Sequence, residues 1–210
     1  ETLPFRFTSA SQSVSATIGT VQDDDRLLDP STLDSDNFNI TVTPGFDFGL
    51  LEGLATTNIE NFKFFLNGAT GGETFDFTGG SAKVNVKSVV VSGTIAGAGG
   101  FTVLNFGDAG ATSFDASGVT TGGAAGSIIA EAYLAPAVTD ASVTITGGAG
   151  NDDLTGGGAA DTIYGNAGND FIDAQAGNDN LSGGDGNDTI VGDDGNDTIV
   201  GGNNNDTIEG

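Results

Sequence analysis

From Gly147 to Glu209 the chain repeats itself every nine residues, seven times over. In register the copies read GGAGNDDLT, GGGAADTIY, GNAGNDFID, AQAGNDNLS, GGDGNDTIV, GDDGNDTIV and GGNNNDTIE. The sixth slot is always aspartate: Asp152, Asp161, Asp170, Asp179, Asp188, Asp197 and Asp206. The eighth is always aliphatic: Leu154, Ile163, Ile172, Leu181, Ile190, Ile199 and Ile208. A disordered acidic linker has no reason to hold an aliphatic residue in phase.

The first six slots are filled mostly by Gly, Asn, Asp and Ala, which favour turns, and Gly enters the left-handed region without steric cost. The last three, such as TIV, are β-formers around one apolar residue. Each copy therefore predicts a tight turn followed by a very short strand, and two copies make one coil of a flattened solenoid. Coils joined as hydrogen-bonded strands sit about 4.8 Å apart. Aspartates stacked at that pitch repel, which raises their pKa values unless a cation lies between them. The available ligands are hard oxygens, from carboxylates and from carbonyls exposed by the glycine turns. Ca2+ accepts six to eight such oxygens in flexible geometry, whereas Mg2+ is stricter. Zinc and copper favour His or Cys, and the chain has neither.

The nonapeptide resembles GGxGxDxUx, U being a large aliphatic residue, of the RTX (repeats-in-toxin) calcium-binding β-rolls. GGAGNDDLT and GGDGNDTIV match it fully. The resemblance implies an ion between turns two copies apart, held by both sixth-slot aspartates and by carbonyls of the glycine turn. One edge would stack Asp152, Asp170, Asp188 and Asp206, and the other Asp161, Asp179 and Asp197, giving about five internal Ca2+ sites. The carbonyl donors it implies are Gly147, Ala149 and Gly150; Gly156 and Gly158; Gly165, Ala167 and Gly168; Ala176 and Gly177; Gly183, Asp185 and Gly186; Gly192, Asp194 and Gly195; Gly201 and Asn203. Departures occur at Ala159, Ala160, Ala174 and Asn204. Asn tolerates the left-handed conformation, so Asn204 is mild; Ala159 is where a distorted site is expected.

Composition narrows the partners. The net charge is −24, and all five basic residues (Arg6, Arg26, Lys63, Lys83, Lys87) precede the repeats. Such a field excludes nucleic acid and bare anionic lipid and demands cations. With no Cys, no disulfide braces the fold. Weak calcium sites, about 10⁻⁴–10⁻³ M, fill outside cells rather than in the cytosol. An extracellular location follows, at a bacterial surface or secreted, with export unfolded and folding on arrival. No signal peptide or transmembrane segment is visible. The resemblance implies type I secretion, with the uncleaved signal beyond a chain that reads as part of a longer polypeptide.

Thirteen of fourteen Phe precede residue 115, so the core chemistry changes along the chain. Residues 1–52 alternate like strands, at Phe5, Phe7, Val14, Ile18, Phe38, Ile40, Val42, Phe46 and Phe48, around the acidic stretch 22–37, which lacks EF-hand spacing and reads as a solvated loop, with a further calcium loop as the alternative. Residues 53–146 read as short strands split by Gly pairs, with AAGSIIAEAYLAP the one candidate helix. The order of strand and small-residue turn is similar in style to segments that precede RTX repeats in bacterial surface-layer proteins. The fold expected is all-β: a C-terminal right-handed parallel β-roll over 147–210, continuous with a β-solenoid or elongated β-sandwich over 53–146 and a strand region over 1–52 that serves as an assembly element.

No His is present, which removes HExxH helices, Ser/His/Asp triads and most general bases. Glu52, Glu60, Glu73 and Glu131 read as surface acids, Tyr133 and Tyr164 as packing or surface residues, and the NDT sequons at Asn187, Asn196 and Asn205 as parts of the calcium turn. No catalytic residue and no organic cofactor are expected. The leading reading is an extracellular structural protein whose calcium-dependent assembly builds a homo-oligomer or polymer, as a sheet or filament. The alternatives are the non-catalytic RTX portion of a secreted enzyme or toxin, and an adhesin for a cell-surface glycan. The third slot holds no Thr, which disfavours ice binding.

Overall fold

A computed structural model describes residues 5–6, 13–16, 26–28, 37–42, 55–57, 61–69, 73–77, 86–96, 100–106, 111–121, 127–132 and 141–210. Every regular element among them is a strand: β1 (Phe5–Arg6), β2 (Ser13–Ala16), β3 (Arg26–Leu28), β4 (Asn37–Val42), β5 (Ala55–Thr57), β6 (Asn61–Ala69), β7 (Glu73–Asp76), β8 (Ser88–Ile95), β9 (Phe101–Leu104), β10 (Ser113–Thr121), β11 (Ile128–Glu131), β12 (Thr144–Thr146), β13 (Asp153–Gly157), β14 (Thr162–Ala167), β15 (Phe171–Gly177), β16 (Asn180–Asp185), β17 (Thr189–Val191), β18 (Asp194–Gly195), β19 (Thr198–Asn203) and β20 (Thr207–Glu209).

Successive strands alternate between sheets. One sheet of nine strands runs β2-β4-β6-β8-β10-β12-β14-β16-β19, a second of eight runs β7-β9-β11-β13-β15-β17-β20 with β18 beside β15, and β1-β3-β5 form a third. Neighbours pair in parallel across the repeat boundary, β10 with β12 and β12 with β14. The fold is therefore a two-sheet parallel β-roll. The sandwich alternative drops out, because sandwich strands are antiparallel.

Coil length changes where the repeats begin. Asn37, Asn61, Ser88, Ser113 and Thr144 are successive register partners, so a coil there takes 24 to 31 residues. Thr144, Thr162, Asn180 and Thr198 follow at steps of 18, which is two nonapeptides. The wider coils enclose more space and fill it with aromatic rings: Phe62 meets Phe77 at 5.2 Å between centroids, Phe64 meets Phe101 at 5.3 Å, and Phe106 stacks on Phe114 at 5.3 Å. The narrow coils leave room for little more than the aliphatic eighth slot. Leu154, Ile163, Ile172, Leu181 and Ile190 are fully buried, each stabilising by about 1.5–3 kcal/mol. Phe171, in the seventh slot, faces outward and is 40 % exposed.

Three expectations change. The candidate helix contains β11, which pairs with β9 and β13; Ile128 and Ala130 are buried and Ile129 and Glu131 half-buried, the period of two that its Ile-Ile-Ala-Glu sequence fits equally well. Arg26–Leu28, within the acidic stretch, is β3; the aspartates around it lie outside the described residues, as do Phe7, Ile18, Phe46 and Phe48. Strands of the roll also outlast slots seven to nine. β14, β15, β16 and β19 continue into the first slots of the next copy, because inter-coil pairing extends there, as at Asn166 beside Gly184 and Gly184 beside Gly202.

On the outer face of the nine-stranded sheet, the register places Asn61, Ser88, Ser113, Thr144, Thr162, Asn180 and Thr198 in one column. Each precedes a core residue, and none is buried. Every rung is Ser, Thr or Asn, and the register continues to Asn37 and Ser13. Ser88 Oγ donates to Asn61 Oδ1 at 2.6 Å.

Candidate metal centre

The sixth-slot aspartates stand in the two expected columns, linked by hydrogen bonds. The backbone N–H of Asp152 donates to Asp170 Oδ1 at 2.8 Å, that of Asp170 to Asp188 Oδ1 at 2.9 Å, and that of Asp188 to Asp206 Oδ1 at 3.1 Å. On the other edge, Asp161 donates to Asp179 Oδ1 at 2.7 Å and Asp179 to Asp197 Oδ1 at 3.0 Å. Asp152, Asp161, Asp170, Asp179 and Asp188 are 1–3 % exposed.

The second oxygen of each carboxylate distinguishes the rungs. In the first two copies it is used: Asp152 Oδ2 accepts from Gly148 N at 2.6 Å and Asp161 Oδ2 from Gly157 N at 2.9 Å. Asp170, Asp179 and Asp188 each keep a buried Oδ2 with no hydrogen-bond partner. A buried carboxylate oxygen left unpaired is costly. Burial, more than the like-charge repulsion expected from the sequence, therefore dominates the acidities. It raises Asp152 to about 6 despite hydrogen bonds from Ile128 and Gly148. It raises Asp170 to about 7, against the hydrogen bond from Asp152, with the charges of Asp152 and Asp188 adding to it. Asp179 and Asp188 are raised by burial first and by Asp197 and Asp206 after.

The first slot completes a cradle. A Cβ on Gly165 would strike both Asp170 Oδ2 and the carbonyl oxygen of Gly183, one coil on; on Gly183 it would strike Asp188 Oδ2 and Gly201 O. Gly147 has Asp152 Oδ2 and Gly165 O in the same relation, and Gly156 has Asp161 Oδ2 and Ala174 O. A carboxylate oxygen and a carbonyl oxygen of the next coil thus converge beside each of these glycines. Ala174, absent from the expected donors, supplies its carbonyl in the same place, since a carbonyl does not depend on the side chain.

The remaining predicted donors sit differently. Gly150, Gly168 and Gly177, in the fourth slot, press their carbonyls against the fourth-slot residue one coil on, Gly168, Gly186 and Gly195 respectively, as Ala159 does against Gly177. Third-slot residues Ala149, Asp185, Asp194 and Asn203 are exposed, and Gly158, Ala167 and Ala176 half-buried. Gly192 and Gly201 face Asp197 and Asp206 in their own copies.

Two features of the turns escaped the sequence reading. Slot two is left-handed even without glycine, at Asn166 (φ 78°), Gln175 (φ 71°) and Asp193 (φ 58°); slot four is too, at Asn204 (φ 80°), as its tolerance suggested. Fifth-slot asparagines also form an exposed ladder: Asn151 Oδ1 accepts from Asn169 N at 2.8 Å, Asn169 Oδ1 from Asn187 N at 2.7 Å, and Asn187 Oδ1 from Asn205 N at 3.1 Å.

These oxygens fit a hard divalent cation. They are buried, anionic and oxygen-only, and the unpaired Oδ2 atoms lie where the ion's charge would replace the missing donors. Among the described residues no three acidic side chains converge on one point. Beyond two carboxylates, further ligands would therefore be backbone carbonyls, which the first-slot cradles provide. When bound, the ion neutralises the columns; Asp170, Asp179 and Asp188 would hold it through Oδ2, while their Oδ1 atoms carry the backbone of the preceding coil.

The family model of the RTX calcium-binding nonapeptide repeat (4 copies) matches residues 146–181 and again 173–208. No curated protein matches the chain. No solved structure matches it either. Proteins built on these repeats bind calcium and are typically secreted. Residues 146–208 are an array of RTX calcium-binding nonapeptide repeats, and Ca2+ is the cation that such repeats bind.

Proposed function

We propose that this chain is a non-catalytic structural protein of the bacterial exterior, which folds on meeting calcium and then assembles with copies of itself into a layer or filament. The observation that carries this reading is the uninterrupted nine-stranded parallel sheet, running from β2 into the calcium roll. A roll of this kind is a rod whose stability is set coil by coil. Its −24 charge opposes both folding and self-contact until cations neutralise the columns. Calcium therefore gates assembly through folding. A chain without His also lacks the commonest general base.

Light scattering and circular dichroism during one calcium titration test the proposal. The β signal should grow first and the scattering second, both reversed by chelator. A strict monomer at millimolar calcium and high protein concentration would defeat the assembly reading, and a hydrolytic or lyase activity in the purified chain would defeat the non-catalytic one.

A further inference from the structure

We infer that the outer face of the nine-stranded sheet is the surface on which a second copy of this chain docks, face to face; this rests on the self-assembly proposed above and assigns it a place. Charge is the first reason. Outward positions along the paired columns of this sheet hold one lysine, Lys63, and one aspartate, Asp115, with Asp185 at the turn end of β16. The outer face of the opposite sheet carries Glu131, Asp153, Asp173 and Glu209. In a chain of net charge −24, the nearly neutral face is where two copies approach with least repulsion. The Ser/Thr/Asn column on it offers donors and acceptors that a like surface satisfies.

Shape is the second reason. Phe65 stands out from this face at 53 % exposure. Beside the exposed Tyr164 lies a shallow recess of about 600 Å³, lined also by Asn166, Ser182, Asp185 and Asn203. Phe62 and Ile163 share one register column, which places Phe65 and the Tyr164 recess on the same sheet, on either side of β10. β10 is the middle strand of the nine, with β6 and β14 equally far on either side. A two-fold axis along β10 would therefore set β6 of each copy, which carries Phe65, over β14 of the other, which carries Tyr164, the isologous closure that symmetric dimers use. Nine strands at about 4.8 Å, each about five residues of about 3.3 Å, make a face of roughly 600 Å². Two such faces bury roughly 1,200 Å², the lower bound of specific interfaces.

Sedimentation velocity of the intact chain in millimolar calcium tests this, comparing Phe65→Lys with Phe171→Lys. Both replace an exposed phenylalanine, on opposite sheets. The inference expects Phe65→Lys to weaken self-association at least about tenfold, as loss of an interface anchor does, and Phe171→Lys to leave it unchanged. The calcium-induced β signal should be equal in both. A second variant, Thr162→Lys with Asn180→Lys on the polar column, should weaken association likewise. If the wild type assembles and both face variants assemble equally well, this inference falls while the self-assembly reading stands. If the wild type stays monomeric, the self-assembly reading falls. If a monomeric wild type is instead retained on chitin or cross-linked dextran and Phe65→Lys is not, the face belongs to a neutral glycan and the inference is overturned.

Discussion

The backbone amide of Asp152 donates to the carboxylate of Asp170, eighteen residues later, at 2.8 Å. The same carboxylate keeps its other oxygen buried and unpaired. One side chain thus does two jobs at once: Oδ1 suspends the preceding coil, and Oδ2 waits for a cation. The arrangement recurs at Asp188 and Asp179, so the carboxylates that support the backbone are the same ones whose second oxygen is left for a cation.

Replacing Asp170 by Asn tests that coupling. The amide oxygen still accepts from Asp152, but the Nδ2 group puts a donor and no charge where the ion is held. Losing a charge-assisted interaction of about 1.5–3 kcal/mol should weaken calcium binding roughly 10- to 100-fold. Titration calorimetry should also show a smaller bound-ion count than in wild type. Unchanged stoichiometry and affinity would mean that Asp170 holds no ion.

Acidity should act in opposite directions with and without calcium. Asp170 rises from 3.8 to about 7 in the fold. The folded calcium-free chain therefore binds more protons than the unfolded chain between those values. Its stability should fall as pH climbs from about 4 to about 7. In chelator, circular dichroism should therefore show more residual β structure at about pH 5 than at about pH 8. Calcium affinity, which needs the carboxylates ionised, should rise over the same window.

Gly165→Ala should damage the roll from within. Its methyl group would collide with Asp170 Oδ2 and the Gly183 carbonyl, one of them backbone, so the cradle must open. Overpacking of that kind costs about 1–3 kcal/mol, read as a lower Tm at fixed calcium and a weaker calcium midpoint. Ala174→Gly should be tolerated far better, because the fourth copy already holds its first slot with a side chain.

Asn169→Ala removes one rung of the exposed asparagine ladder, the acceptor for Asn187 N, and leaves the backbone bond from Asn169 N to Asn151 Oδ1 in place. Only the former bond, at 2.7 Å, uses the Asn169 side chain. Its loss should cost about 0.5–1.5 kcal/mol in a denaturant melt, with the calcium count unchanged.

The nonapeptide phase was enough to read the roll: the aspartate columns, the pairing of copies two apart and the inward eighth slot all follow from a period of nine and the alternation of strand side chains. Asn204 in the left-handed region was legible too, since side-chain chemistry sets that tolerance. By contrast, the sequence around Ile128–Glu131 fits a helix and a strand equally well; pairing with β9 and β13 makes it a strand. The left-handed Gln175 was equally hidden, because its conformation is imposed by the inter-coil pairing of the turn rather than preferred by the residue.

By itself the sequence determined the ion class, the two columns and the coil of eighteen, because those depend on which residues recur and how often. Only the tertiary structure decided which carboxylate oxygens are left unpaired, where the Ser/Thr/Asn column runs, and that β6 and β14 flank β10 at equal distance. Coils of 24 to 31 residues hide these relations from any fixed period, and they emerge only when parallel pairing brings distant residues into one register.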